Sequence, residues 1–377
     1  MLRLKKSIYG LVQAARQWFL KFEEALKTIG FRNNQIDPCL FIKKDDGKFC
    51  AICVYVDDCI LTGDQTMMKE VIEGLKKVFA IKIQKNIDDF LGCNIIMGKN
   101  DINIFQKRIH DNLKDLIEPN VSTDKFKTPS SPGFAVVRQE KKEGLLNGKD
   151  QKWFRSSVGS LLYMVKFSRP DIANSVRELS KVMDLANYGQ KKELNRLLNF
   201  VYHGGVKGLK MKPTEETIWE IEAFSDSDFA GDKNGRRSVT GFIILVCNTP
   251  ISWKSKSQGN VTLSSTEAKY VALSETVREV KFITKILDSL CIAYKTPIKV
   301  NVDNTGALFL SNNKTSGERT KHIDIKYHYV RELVEKKFVE IKFVKSEDNL
   351  ADLFTKNLGG EAYSKHSNKL LIEKDDF

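Results

Sequence analysis

Hydrophobic residues recur every three or four positions in several long stretches of the chain, and this spacing predicts amphipathic helices. The predicted helices cover residues 12–29, which Gly30 terminates, residues 67–79, most of residues 153–202, and residues 264–290. Shorter apolar runs, typical of strands, lie at residues 39–42, 49–56, 59–62, 219–229, 238–246, 250–254, 298–302 and 338–344. The chain is therefore expected to combine helices with sheets along its whole length.

The order of these elements predicts several domains. Helix and strands up to residue 122 indicate an α+β domain. Residues 123–150 contain Thr-Pro-Ser-Ser-Pro-Gly and Lys-Lys-Glu-Gly, which predict a linker, and helices follow it. A second break is predicted at residues 204–213, before strands and helices that indicate a separate α/β domain.

Composition and charge narrow the class of partner. Hydrophobic residues make up 41% of the 377 residues, enough to form real cores. Lys and Arg number 61 against 48 Asp and Glu, a formal net charge of +13, which favours a polyanionic partner. No apolar run approaches the ~20 residues that span a bilayer, so nucleic acid is favoured over a membrane.

The cysteines indicate a reducing, intracellular setting. Seven cysteines in a chain of this length do not form a repeated disulfide framework. Cys50 and Cys53 have a C-x-x-C spacing but lie in a predicted strand, where residues three apart point to opposite faces. We therefore expect no zinc site. The N-terminus lacks the apolar segment of a secretory signal, so the cytoplasm or nucleus is expected.

The first candidate site is Tyr55-Val56-Asp57-Asp58, between two predicted strands. Two adjacent carboxylates at the tip of a hairpin can hold a divalent metal, because Mg²⁺ binds protein carboxylates together with phosphate oxygens. An Asp-Asp pair is also common in ordinary turns. The apolar strands on both sides add weight to the metal interpretation.

The second candidate site consists of four acids in the C-terminal α/β segment. They are Asp226 in a strand, Glu267 at a helix start, Asp303 at a strand end and Asp352 at a helix start. Four converging carboxylates can hold two divalent ions about 3.5–4 Å apart, which suits phosphodiester cleavage. Each acid alone could equally be a helix cap or a solvated side chain. Glu267 follows Ser264 by three residues, which is the spacing of a capping box.

Several motifs occur in the order found in one known family. They are Lys6-Ser-Ile-Tyr-Gly-Leu-Val-Gln-Ala-Ala-Arg-Gln-Trp18, Tyr55-Val-Asp-Asp58, Phe90-Leu-Gly92, Arg155-Ser-Ser-Val-Gly-Ser-Leu-Leu-Tyr163, Arg169-Pro-Asp-Ile-Ala173, Asp226-Ser-Asp-Phe-Ala230, Leu263-Ser-Ser-Thr-Glu-Ala-Lys-Tyr270, Asp303-Asn304, Lys321-His-Ile-Asp-Ile-Lys-Tyr-His328 and Ala351-Asp-Leu-Phe-Thr-Lys356. With them the chain resembles the C-terminal part of copia-type LTR-retrotransposon Pol polyproteins, a reverse transcriptase followed by a ribonuclease H.

The resemblance implies a fold and a domain order. A truncated reverse transcriptase palm is expected at residues 1–122, and a linker with thumb or connection helices at residues 123–212. A ribonuclease-H-like domain with a mixed five-stranded sheet and helices would cover residues 213–360. Residues 361–377 would form a C-terminal tail.

The resemblance also implies roles for individual residues. The polymerase metal ligands would be Asp57 and Asp58, with substrate-binding roles for Gln13, Arg16 and Tyr55. The ribonuclease H ligands for two Mg²⁺ or Mn²⁺ ions would be Asp226, Glu267, Asp303 and Asp352. Asp228 is an alternative to Asp226, because it lies two residues further on the same strand face.

The chain departs from the family pattern at several positions. Val12 and Ala15 stand where the family has Lys and Pro, and residues 345–350 lack a His before the last acid. A further polymerase Asp of the family lies upstream of the segment with which this chain starts. Losing one of three metal ligands removes most two-metal activity, so the polymerase part is expected to be inactive.

The leading functional hypothesis is a Pol product whose ribonuclease H cuts RNA in an RNA–DNA hybrid. Its partners would be that hybrid, a template–primer duplex, and other Pol parts or a second chain, with no membrane. The alternative is a non-catalytic nucleic-acid-binding remnant of a decayed element. Cleavage of a labelled hybrid distinguishes the two.

Overall fold

A computed structural model of the chain describes residues 7–8, 10–118, 126–138, 144–212, 214–312 and 321–373, without the side chains of residues 312 and 321–327. Residues 123–125 and 139–143 of the predicted linker, Lys6 and Tyr9 of the Lys6–Trp18 motif, and residues 374–377 lie outside the described part of the chain. The chain divides into two compact units. The first comprises Met1–Asn86 and Lys281–Ala293, and the second comprises Ile87–Val280 and Tyr294–Phe377.

The first unit contains the elements that the apolar pattern predicts near the N-terminus. They are α1 (Ala14–Thr28), β1 (Arg32–Asn33), β2 (Leu40–Asp45), β3 (Lys48–Tyr55), β4 (Asp58–Gly63) and α2 (Gln65–Lys76). The four strands form an antiparallel sheet in the order β1-β2-β3-β4. Phe22 and Leu26 of α1 pack with Phe41 and Ile52 of the sheet in one apolar core. Along β3, Cys50 is buried and Cys53 is exposed, as the alternation predicts, and both are free thiols.

The second unit begins with mixed elements and a helical layer. They are β5 (Asp89–Phe90), β6 (Cys93–Met97), β7 (Ile102–Phe105), α3 (Lys107–Asn112), a 3₁₀ helix (Leu113–Leu116), α4 (Gly148–Phe167), a 3₁₀ turn (Pro170–Ile172), α5 (Ala173–Ser180), α6 (Tyr188–His203) and β8 (Lys207–Met211). Phe154, Leu161, Leu179 and Leu198 meet in the core between these helices, each fully buried. The helical periodicity at residues 153–202 therefore marks a packed layer.

The rest of the second unit continues the chain to its C-terminal helix. Its elements are β9 (Ile218–Trp219), β10 (Ile221–Asp228), β11 (Val239–Val246), β12 (Thr249–Ser257), α7 (Ser265–Ser289, which extends into the first unit), β13 (Ala293–Tyr294), β14 (Ile298–Val302), α8 (Thr305–Asn312), α9 (Lys321–Glu335), β15 (Val339–Phe343), 3₁₀ helices at Ser346–Asp348 and Leu350–Phe354, α10 (Gly360–Leu370) and β16 (Leu371–Glu373).

A mixed five-stranded sheet forms the centre of this unit, in the order β12-β11-β10-β14-β15. The pairs β12/β11 and β11/β10 are antiparallel, whereas β10/β14 and β14/β15 are parallel. All eight residues of β11 are buried, because strands lie on both sides of it and the 3₁₀ helix Leu350–Phe354 packs against it. This is the ribonuclease-H-like sheet with helices that the sequence predicts.

Residues 204–213 were expected to be a break, but they contain β8, and this prediction is wrong. The strand lies between β7 and β16 in a second sheet, in the order β16-β8-β7-β6-β5. At Gly208 a Cβ atom would lie 2.1 Å from the carbonyl oxygen of Ile104. Glycine permits this close approach of two backbones, and the same glycine weakens the strand signal in the sequence.

The residues expected to form a C-terminal tail contain the body of α10 and β16. Tyr363 and Leu370 of α10 are buried in an apolar cluster with Ile243 and Phe354. Helix α10 therefore belongs to the folded body of the second unit. The four-part domain division stays a prediction. None of the helices in the described part of the chain is both long and apolar enough to cross a membrane.

Candidate functional site

Three of the four acids expected in the nuclease site lie together. Asp226 lies in β10 and Asp303 directly follows β14, and these strands are parallel neighbours with Ser225 opposite Val302. The 3₁₀ helix Leu350–Phe354 brings Asp352 to the same edge of the sheet. One carboxylate oxygen from each acid lies within 4.8 Å of the other two. We call these three residues the carboxylate cluster.

Asp226 is the most deeply buried acid of the cluster, with 1% of its surface exposed. Thr355 Oγ1 donates a hydrogen bond of 2.5 Å to Asp226 Oδ2. The other oxygen, Asp226 Oδ1, is buried and accepts no hydrogen bond from the described residues. Asp303 Oδ2 accepts a hydrogen bond of 2.8 Å from Ser346 Oγ. The close polar contact of Asp226 Oδ1 is Lys269 Nζ, 3.0 Å away.

Two lysines lie between these acids. Lys269 Nζ is 3.0 Å from Asp226 Oδ1 and donates a hydrogen bond to Asp303 Oδ1. Lys356 Nζ is 3.3 Å from Asp226 Oδ2 and 3.2 Å from Asp352 Oδ1. The ammonium groups thus balance two of the three carboxylate charges.

Burial and these charges move the pKa values of the acids in opposite directions. Burial alone would raise the pKa of Asp226, but Lys356, Lys269 and the Thr355 hydroxyl outweigh it and hold that pKa below its usual range. Burial and then the negative charge of Asp226 raise the pKa of Asp352 to about 7, with Lys356 opposing them. Asp226 is therefore the permanently charged member, and Asp352 can hold a proton near neutral pH.

The raised pKa of Asp352 predicts how stability changes with pH. Its pKa is about 7 in the folded chain and about 4 when unfolded, so the folded state binds the proton more tightly. The free energy of unfolding should therefore fall as pH rises through this window. In urea unfolding, Asp352→Asn should gain stability relative to the unsubstituted chain as pH rises from about 5 to about 8. The same pH dependence in both chains would contradict the assignment.

Glu267 was expected to be the fourth ligand, but the structure does not bring it into the carboxylate cluster. Its Oε2 accepts a hydrogen bond of 2.7 Å from Leu263 N, and its own N–H donates to Ser264 Oγ at 3.1 Å. Glu267 therefore caps α7, as its spacing from Ser264 also predicted. Residues two apart on a helix differ by about 200° in direction, so Glu267 and Lys269 cannot face the same site.

Lys269 was missed, and apolar periodicity gives no signal that separates it from Glu267. Helix α7 is buried on more than one side, since Tyr270 and Leu273 are buried as well as Ala272. Steps of three toward the N-terminus reach residue 267 from Tyr270 and residue 269 from Ala272. The packed structure decides which of the two faces the carboxylates.

Asp228, the alternative to Asp226, lies outside the carboxylate cluster. It is partly buried, and burial raises its pKa, while Lys356 lowers it and Asp226 raises it. Its side chain is close to Gly231, where an added Cβ would lie 2.1 Å from Asp228 Oδ2. The geometry therefore favours Asp226 as the first member of the site.

The polymerase candidates form an exposed hairpin tip. Tyr55 ends β3 and pairs with Asp58, the first residue of β4, so Val56 and Asp57 make a two-residue turn. Val56 has φ +50°, a strained conformation for a β-branched residue. Gln13 and Arg16 lie exposed at the start of α1. Among the described residues, Asp57 and Asp58 do not join a third metal-binding side chain, and their roles stay predictions.

The residues of the cluster fit a divalent ion only in part. Carboxylate oxygens such as Asp226 Oδ1 are the ligands that Mg²⁺ and Mn²⁺ prefer. The ammonium groups of Lys269 and Lys356, however, lie against the same carboxylates. Two divalent ions would add four positive charges beside these two. As arranged, the residues do not fit a two-metal centre.

Comparison with known proteins places the chain beside retrotransposon proteins. Residues 1–128 match the family described as reverse transcriptase (RNA-dependent DNA polymerase). The chain is 33% identical over 377 residues to the retrovirus-related Pol polyprotein from transposon RE1 of Arabidopsis thaliana, covering 99% of this chain and 25% of that protein. It is 29% identical over 361 residues to the Pol polyprotein from transposon TNT 1-94 of Nicotiana tabacum, covering 94% and 27%.

Shorter relatives and solved structures match parts of the chain. An uncharacterized mitochondrial protein of Arabidopsis thaliana is 31% identical over 230 residues, covering 60% of this chain and 92% of that protein. The N-terminal RNase H domain of a Mycobacterium tuberculosis protein is 13% identical, with a TM-score of 0.26, and covers 40% of this chain and 96% of that one. The chain spans about a quarter of the length of the two Arabidopsis Pol polyproteins that it matches.

Proposed function

The chain belongs to the family of copia-type retrotransposon Pol polyproteins, and on that premise we propose that its ribonuclease-H-like domain binds RNA–DNA hybrids. We further propose that it cleaves the RNA strand far more slowly than a four-carboxylate centre would. One observation carries this proposal: the acids at the expected reaction site are paired with Lys269 and Lys356. The retained fold supports binding, and the neutralised acids argue against efficient hydrolysis.

Charge supports the binding part of the proposal. The formal net charge of +13 favours a polyanion. A hybrid duplex is recognised through its shape, its 2′-hydroxyls and its phosphates rather than its base sequence. Dispersed lysines and arginines on a folded surface suit that kind of recognition.

A basic groove in the second unit could contact the phosphates. This groove, of about 410 Å³, lies between helices α4 and α5 and the edge strand β12, with Lys166, Arg177 and Lys254 among its lining residues. Arg177 Nη1 is buried and makes no hydrogen bond to the described residues. Lys254 lies 3.6 Å from Glu275, a loose pair at a partly exposed position. Arg177 is already paired with Glu178, Asn174 and Ser255. Lys166, which is exposed, and Lys254 are therefore the cations that the groove offers to phosphate oxygens.

The groove predicts a salt-dependent loss of binding. Lys254→Gln should weaken hybrid binding and reduce the slope of log affinity against log salt by about one, because one phosphate contact is lost. Fluorescence anisotropy with a labelled hybrid, without divalent ions, measures both quantities. Lys285→Gln, at an exposed lysine outside the groove, is the matched control. Equal affinities and slopes for the two variants would exclude the groove.

Ribonuclease H hydrolysis by the unsubstituted chain is the second candidate function. The convergence of carboxylate oxygens of Asp226, Asp303 and Asp352 within 4.8 Å of one another favours it. Bound Mg²⁺ ions would polarise the scissile phosphate and activate a water molecule. Cleavage of a labelled hybrid by this chain as fast as by its Lys269→Glu variant would establish this candidate over the first.

A further inference from the structure

We propose that the ammonium group of Lys269 takes the place of a divalent cation in the carboxylate cluster, so that the site contains a covalently attached cation. This inference deepens the proposed function. The cleavage assay described below rests on the proposed function, whereas the measurement of Mn²⁺ binding does not.

Lys269 bridges two acids in the manner of a bound ion. Its Nζ lies 3.0 Å from Asp226 Oδ1 and bonds to Asp303 Oδ1. Asp226 Oδ1 is deeply buried, and the ammonium group of Lys269 is its close polar contact. The contact is a short ion pair between opposite charges. The position between Asp226 and Asp303 is thus already filled by a positive charge.

Burial makes this charge difficult to displace. The side chains of Asp226 and Asp303 are 0% and 3% exposed, and that of Lys269 is 16% exposed. An incoming Mg²⁺ or Mn²⁺ ion would have to separate a desolvated ion pair and leave a second positive charge beside it. Repulsion between these like charges weakens ion binding.

Lys356 contacts the same cluster but is held less firmly. Its side chain is 38% exposed, and it contacts Asp226 and Asp352 at 3.3 and 3.2 Å. A long, partly exposed lysine side chain can move its ammonium group into solvent at a small cost in free energy. Lys269 is therefore the main obstacle to a divalent ion, and Lys356 is a secondary one.

Ion binding tests the proposal directly. Free Mn²⁺ is counted by electron paramagnetic resonance during titration of the unsubstituted chain, Lys269→Gln, Lys269→Glu and Lys356→Gln. We expect Mn²⁺ to bind Lys269→Glu at least about tenfold more tightly than the unsubstituted chain, a difference of about 1.4 kcal/mol. Lys269→Gln should lie between them, and Lys356→Gln should change the affinity less than Lys269→Gln does.

The controls separate a local effect from general charge and from misfolding. Lys285→Glu makes the same charge change at an exposed position of α7 and should leave Mn²⁺ affinity unchanged. Lys269→Gln is the variant to compare if Lys269→Glu does not fold. Circular dichroism shows whether each variant is folded. Folded Lys269 variants with the Mn²⁺ affinity of the unsubstituted chain would overturn the proposal. Mn²⁺ binding by the unsubstituted chain that is as tight as binding by Lys269→Glu would also overturn it.

A cleavage assay separates this proposal from the proposed function. If Mn²⁺ binding improves and Lys269→Glu cleaves a labelled hybrid much faster than the unsubstituted chain does, both stand. If Mn²⁺ binding improves but no variant binds the hybrid, the Lys269 proposal stands and the proposed function fails. If the hybrid binds but no Lys269 variant gains Mn²⁺ affinity, the proposed binding function stands and the Lys269 proposal fails.

Discussion

In a chain carrying Lys269→Glu, a second substitution of Asp226 by asparagine should reduce Mg²⁺-dependent cleavage of RNA in a hybrid by about 100- to 1000-fold, the range for losing one well-placed charged or polar group in a reaction site. Asp226 is the member of the carboxylate cluster that both lysines contact, and Lys269→Glu removes the ammonium group that lies 3.0 Å from its Oδ1. An amide keeps the shape of the side chain but removes its charge. A gel assay with 5′-labelled RNA in the hybrid measures the rates.

Asp228→Asn in the same Lys269→Glu chain is the matched control. Asp228 lies on the same strand but outside the cluster, so cleavage should stay within about threefold of the Lys269→Glu rate, well short of the loss expected from a group at the reaction site. A large loss with Asp228→Asn and none with Asp226→Asn would contradict the assignment. It would make Asp228 the first acid of the site.

Substitution of a buried arginine outside the carboxylate cluster is expected to cause a large loss of stability. Arg169 and Asp171 are both buried and share two hydrogen bonds of 2.8 Å, and Tyr363 donates a bond of 2.5 Å to Asp171. Against the effect of burial, Arg169 and Tyr363 hold the pKa of Asp171 below its usual range. Arg169→Met would leave a buried, unpaired carboxylate and should lower the free energy of unfolding by about 3–5 kcal/mol.

Removing the whole polar group should be less harmful than removing one partner. A triple variant with Arg169→Met, Asp171→Leu and Tyr363→Phe leaves no buried charge without a partner, so it should unfold at a higher urea concentration than Arg169→Met alone. Lys76→Met, which breaks an exposed pair with Glu73, should leave stability unchanged. A triple variant less stable than the single one would contradict this account.

The group formed by Arg169, Asp171 and Tyr363 also explains why the predicted tail is part of the fold. Tyr363 lies in α10, whereas Arg169 precedes the 3₁₀ turn Pro170–Ile172 and Asp171 lies within it. Their hydrogen bonds join segments almost two hundred residues apart in sequence. No local pattern predicts such a contact, because the residues are polar and distant. The apolar face of α10 alone did not distinguish it from a solvated terminal helix.

Elements with strong apolar patterns could be predicted well from the sequence. Strand β14 spans Ile298–Val302, the predicted residues, because Ile298, Val300 and Val302 are β-branched and Pro297 and Asp303 bound the run. Strand β8 was missed because Gly208 weakens its pattern, although the backbone of Ile104 requires a glycine there. The residue composition was enough to predict β14, whereas β8 depends on its pairing with a strand that is distant in sequence.

The site could be predicted in part for a similar reason. Asp303 directly follows β14, Asp352 lies in the first turn of the 3₁₀ helix Leu350–Phe354, and the parallel pairing of β10 with β14 brings Asp226 and Asp303 together. Whether Glu267 or Lys269 faces the carboxylates depends on how α7 is rotated about its axis. The motifs shared with the family do not determine that rotation. The four-acid expectation therefore becomes three acids and two lysines, and this difference changes the expected chemistry.

The central claim is that Lys269 holds the cation position between Asp226 and Asp303. Anomalous X-ray diffraction from crystals of the unsubstituted chain and of Lys269→Glu, both soaked in Mn²⁺, tests it most directly. The claim predicts an anomalous peak between Asp226 and Asp303 in Lys269→Glu, and in the unsubstituted chain only the lysine ammonium at that place. A Mn²⁺ peak there in the unsubstituted chain, with Lys269 turned away, would contradict it.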